Sequence, residues 1–143
     1  MDYAAEDIAM YILQYYNCKN ISITNLKLQK VLYYIQGEFY RRFGYPAFID
    51  NIEAWKFGPV IPQVYKKYSK FASDPIFEPA SVSYTLFSKE EINAIEEVCD
   101  SLENVDAWTL VQMTHNELPW AKYYEEGFNH IIPKDQISKF FRK

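Results

Sequence analysis

At 143 residues the chain has the size of one domain, with enough core to need no disulfide or metal staple, and its 49% hydrophobic and 24% charged residues are those of a globular protein. A net charge of -4 argues against a general electrostatic grip on nucleic acid or on an anionic membrane. No apolar run reaches the roughly 20 residues a membrane span requires, and the acidic segment 1–7 does not have the pattern of a signal peptide, so the expected location is the cytoplasm.

Taken in chain order, the apolar residues Ala4, Ile8, Tyr11, Ile12 and Tyr15 recur at helical spacing and predict an amphipathic helix over 3–16. Residues 17–20 break it. A second helix is predicted from residue 24 or 25 to 42, with Leu28, Val31, Leu32, Ile35 and Phe39 on its buried side. Lys27, Lys30, Tyr34 and Glu38 fall on the other stripe and are read as its outer face. Gly37 costs about 1 kcal/mol against Ala in mid-helix, which a close helix–helix approach would offset.

Residues 52–57 alternate as a short strand, and Gly58-Pro59 is read as the turn after it. Pro62 suits the first turn of a third helix, expected to run to about residue 71. Val82, Tyr84 and Leu86 alternate with small polar residues and predict a second strand. Ser88 and Glu91 have capping-box spacing and open a helix carrying Ile92, Ile95, Val98, Cys99 and Leu102. Asp106 caps a helix that ends near His115. Residues 117–120 read as a loop or single turn, and Pro133 opens a last helix with Ile137, Phe140 and Phe141 inward. The expected fold is mainly α (α+β): a single compact domain over 1–143, with about six helices and a small two-stranded β element.

Chemistry is sparse. The two histidines, His115 and His130, lie outside any metal-ligand spacing, and the four glycines form no phosphate cradle. Cys99 falls on an apolar stripe, while Cys18 lies in a helix-end loop with nothing to activate it. His115, Glu117 and Cys18 are the residues an enzyme would have to bring together. The lysine-containing helix after Pro62 carries tyrosines rather than a polar recognition surface. No catalytic residue, metal or cofactor is therefore expected, and direct nucleic-acid binding is not expected either.

Two segments go further. Residues 25–37, NLKLQKVLYYIQG, are followed some fifteen residues later by residues 52–65, IEAWKFGPVIPQVY. In order and spacing they resemble the Panacea domain, the SocA-like antitoxin domain also found in phage-associated GepA-like proteins. A weaker third likeness runs from His115 to Trp120, and the resemblance extends from about residue 4 to 141.

The resemblance implies an antitoxin that neutralises a cognate protein toxin by direct contact. Some members of the family help present a toxin to a protease, which adds a cellular protease to the implied partners. A phage or mobile-element protein that binds a host factor without any toxin is the alternative. Once the core and turn positions are set aside, Lys27, Lys30, Tyr34, Trp55, Lys56, Phe57 and Tyr65 remain as the expected partner-binding residues, since aromatic and charged-stem side chains are typical interface anchors.

Overall fold

The computed structural model describes residues 3–77 and 86–143. Its first helix, α1 (Ala5–Cys18), is followed by α2 (Asn25–Phe43), around which the rest is organised. Thr24 caps α2 by accepting a hydrogen bond from the Lys27 backbone N–H at 3.3 Å. Gly44 ends it in the left-handed conformation, φ 79°, returning its N–H to the carbonyls of Phe39 and Tyr40.

Strands β1 (Ile52–Trp55) and β2 (Gly58–Val60) form an antiparallel hairpin that leads into α3 (Pro62–Lys67). Later come α4 (Lys89–Leu102), α5 (Ala107–His115), α6 (Leu118–Tyr123), β3 (Ile131–Ile132) and α7 (Lys134–Phe141). The sheet order is β2-β1-β3, with Ile52 opposite Ile132 and Glu53 opposite both Val60 and Ile131.

The mainly helical class with a small β element is the one expected; several details differ. The hairpin turns at Lys56-Phe57, and Gly58 and Pro59 lie inside β2. Proline is accepted there because β2 is an edge strand, where a missing ladder N–H costs nothing. β1 takes β3 as its second neighbour, making three strands rather than two. A strand of two residues is too short to show alternation. Of the strand expected over 82–86, residues 82–85 lie outside the described residues, and Leu86 is in a bend.

The helix expected to reach residue 71 divides into α3 and a 3-10 turn at Ser69–Phe71. Residues 118–120, expected as a loop or single turn, open α6, with Pro119 in its first turn. The Ser88–Glu91 capping box forms as expected. Its Glu91 carboxylate also accepts from the Tyr3 hydroxyl at 2.7 Å and the Tyr45 hydroxyl at 2.9 Å, tying two distant segments to the start of α4.

α2 packs against α1, α3, α4, α5, α7 and β2, and thirteen of its nineteen residues are buried. A helix covered on that many sides keeps only a narrow half-exposed stripe, so most of its polar residues must find partners inside. Gln36 does so by accepting from the backbone N–H of Ala47 at 2.7 Å and of Phe48 at 3.2 Å while donating to the Phe48 carbonyl at 3.1 Å.

Gly37 lets α7 close in. A Cβ there would lie 2.5 Å from the Phe141 ring, which also meets Tyr33 edge-on at 5.4 Å. Gly37→Ala is therefore expected to destabilise the protein by about 1–3 kcal/mol, although Ala is the better helix former. In urea unfolding, the Gly37→Ala/Phe141→Ala pair should lose less than the sum of its single variants, because the second change removes the clash created by the first.

Candidate functional site

The buried polar residues at the start of α2 converge on the hairpin and α3. The Asn25 amide donates to the Tyr65 carbonyl at 2.9 Å, and its oxygen accepts from the Gln29 amide at 2.9 Å. Gln29 Oε1 in turn accepts from the Ile61 backbone N–H at 2.9 Å. One position on, Lys30 Nζ donates to the Pro59 carbonyl at 3.1 Å. Residues 25 and 29 are one helical turn apart and act as a relay; residue 30 reaches the neighbouring strand.

Lys30 is wholly buried, and burial lowers its ammonium pKa to about 7. Its approach explains Gly58. A Cβ on that residue would lie 2.5 Å from Lys30 Cε and 2.8 Å from Thr114 Oγ1, and the backbone there has φ +111°. Only glycine meets both conditions.

The other side of the hairpin is held from α5 and α6. His115 Nε2 is 3.1 Å from the Lys56 carbonyl, a contact in which the ring N–H donates. Trp120 Nε1 donates to the Trp55 carbonyl at 2.7 Å. The His115 and Trp120 rings stack at 3.8 Å, and Tyr124 stacks on Trp120 at 4.7 Å. Burial is the main cause of a lowered His115 pKa, which favours the neutral ring at physiological pH. In all, five backbone groups between residues 55 and 65 are held by side chains from outside the hairpin.

The expected partner-binding residues divide into two groups. Lys27 and Lys30 are not on an outer face: their relative exposures are 7% and 0%. The helical stripe was read correctly, but α2 is covered on that stripe too. Lys27 Nζ donates to the Glu103 carbonyl at the end of α4, at 3.1 Å, and burial lowers its pKa. Tyr34 is half-buried, its hydroxyl donating to Glu117 at 2.8 Å beside the matching bond from Tyr33. Burial raises the Glu117 pKa against the pull of those two hydroxyls.

Trp55, Lys56, Phe57 and Tyr65 do reach the surface around the turn. Trp55 is half-buried, edge-on to Tyr65 at 5.1 Å, and its indole N–H donates to Glu53 at 2.9 Å. Lys56 is exposed, and Phe57 meets Trp108 edge-on at 5.3 Å.

Trp108, Gln29 and Trp120 were missed as site residues. The first shows no motif. Trp120 falls only in the weaker third likeness. Gln29 could have been found from a charge signal: residues 25–37 contain no carboxylate, whereas a solvated helix face usually mixes both signs. His115, Glu117 and Cys18 have separate surroundings. His115 binds the hairpin, Glu117 the two tyrosines, and Cys18 lies exposed at the end of α1.

The Lys30 environment gives a signed pH effect. Unfolded, its pKa returns to about 10.4, so between about 7 and that value the unfolded chain binds more protons than the folded one. Stability should therefore rise with pH over this window. Two sets of groups oppose this: buried Cys99, its thiol pushed up to about 12, once a free thiol ionises near about 8.5, and Tyr16, Tyr33 and Tyr34, whose pKa values are raised, once free tyrosine ionises near about 10. Urea unfolding followed from neutral pH to about 8.5 should show that rise in the wild type. Lys30→Met should flatten it, leaving the slope of the same sign due to Lys27.

The family model described as the antitoxin SocA-like, Panacea domain matches residues 28–121, a stretch that takes in most of α2, the hairpin and the start of α6. Antitoxin SocA of Caulobacter vibrioides (strain NA1000 / CB15N) is 43% identical over 65 residues, covering 46% of this chain and 35% of that protein. The match thus spans about a third of the relative's length. No solved structure matches. With its two motifs built into one interlocked unit and the family model covering well over half its length, the chain belongs to the antitoxin SocA-like, Panacea-domain family.

Proposed function

We propose that this protein is a non-catalytic antitoxin that acts in the cytoplasm and neutralises a cognate protein toxin by direct binding. The observation that carries this reading is the hairpin of residues 52–60, whose backbone is gripped from α2, α5 and α6 while the side chains at its turn stay exposed. A recognition element held in one conformation before binding loses little entropy on binding, so more of its contact energy appears as affinity. Membership of the Panacea family and the likeness to an antitoxin supply the kind of partner. Among the described residues no helix is long and apolar enough to cross a membrane.

Co-expression with each adjacent reading frame tests the proposal. Growth should be rescued from one toxic neighbour, and the two proteins should co-purify. Failure to rescue any toxic neighbour would remove the antitoxin reading. Two routes can follow from binding, occlusion of the toxin or its delivery to a protease. The toxin's half-life in protease-deficient cells separates them, since only delivery shortens it in a protease-dependent way.

Trp120→Phe keeps an aromatic ring in the stack but removes the bond to the Trp55 carbonyl. The lost bond is worth about 1 kcal/mol. The expected outcome is toxin binding weakened by up to roughly fivefold, measured by calorimetry, with helical content unchanged.

A further inference from the structure

The hairpin turn stands in a cationic and aromatic region of an acidic protein. Residues 54–73 hold four lysines and no carboxylate, and α5 beside the turn has none either, although the chain as a whole carries -4. The acid is concentrated elsewhere: α4 alone contains Glu90, Glu91, Glu96, Glu97 and Asp100.

Within the cationic region Phe57 is 44% exposed and Trp108 57%, their rings in edge-to-face contact. Tyr65 is exposed over the half-buried Trp55. Lys56 Nζ stands 5.5 Å from the Phe57 ring centroid, and Lys66 follows Tyr65 on α3. Among the described residues neither Lys56 nor Lys66 has an ion-pair partner, whereas Lys67 pairs with Glu6 at 3.7 Å.

Large rings left open on a fixed backbone, with unneutralised cations beside them, make a surface whose complement is apolar and negative. We infer that Trp55, Lys56, Phe57, Tyr65, Lys66 and Trp108 bind an acidic protein segment in which carboxylates flank apolar side chains. The inference relies on the toxin-binding reading only for which protein carries that segment. Carboxylates of the segment pair with Lys56 and Lys66, and its apolar side chains cover the Phe57 and Trp108 rings. Single-stranded nucleic acid also uses lysines and aromatic rings, but the acid on α4 and the net negative charge weigh against a polyanion.

A display selection of random peptides against the folded chain tests this. Enriched peptides should combine Asp or Glu with Leu, Ile or Phe, and their binding should weaken in high salt. Phe57→Ala/Trp108→Ala and Lys56→Glu/Lys66→Glu should each weaken it by more than roughly tenfold. Lys139→Glu/Lys143→Glu, on and beyond α7, should leave it unchanged. All the substituted side chains are at least partly exposed, and circular dichroism confirms that each variant is folded.

Peptides without carboxylates, peptides insensitive to both hairpin variants, or no enrichment at all would overturn the inference. So would tight, Lys56-dependent binding of a thymidine oligonucleotide in place of peptide. Failure of the antitoxin reading is a separate result: the wild-type chain then rescues no toxic neighbour, whatever the selection returns.

Discussion

The structure depends on the satisfaction of buried polar groups along α2. A helix enclosed by five other helices and a strand cannot carry Asn25, Gln29, Lys30 and Gln36 unless each finds a partner, because an unpaired buried amide or ammonium costs more than one bond returns. Their partners are backbone groups of short elements and the loops between them: Ala47 and Phe48 before the hairpin, Pro59 and Ile61 within or after it, and Tyr65 on α3. α2 thus does for this stretch of short elements what a sheet does for its own strands. The two glycines at close contacts follow from the same crowding, Gly58 under the Lys30 stem and Gly37 under the Phe141 ring.

This explains why two segments separated in sequence behave as one unit. The α2 segment supplies side-chain donors and acceptors, and the hairpin segment supplies main-chain ones. The stacked His115, Trp120 and Tyr124 close the hairpin from the other side, so the third, weaker likeness in the sequence belongs to the same construction. Glu117, held by Tyr33 and Tyr34, fixes the start of α6 against α2 and so sets where Trp120 stands.

Much of the helical framework was legible in the sequence because each helix has a strong period or a chemical cap: Ser88 with Glu91, Asp106 before α5, Gly44 after α2. The sheet was read poorly. β2 is three residues containing Gly and Pro, and β3 is two, so neither shows alternation and both exist through pairing with β1. Pro119 carried two opposite meanings, stop and first turn, and only the surrounding chain decides between them. At the site, the exposed tip at Trp55, Lys56, Phe57 and Tyr65 was visible as residues that the core and the turn did not need. Lys27 and Lys30 were misplaced because periodicity tells which side chains share a stripe, not whether a later element covers it. Here α4 and the hairpin do.

The grip on the hairpin has a consequence for how such a protein can change over time. All five anchoring bonds end on main-chain atoms of residues 55–65, which every amino acid but proline supplies in full and proline supplies as a carbonyl. None of the five bonds uses the side chain of Lys56 or Phe57. In the binding role proposed above, substitution at Lys56 or Phe57 changes the surface offered to a partner without breaking any of these five bonds. Under that proposed role, such a division lets a lineage explore new partners by rewriting a few exposed positions while the interior stays under constant constraint.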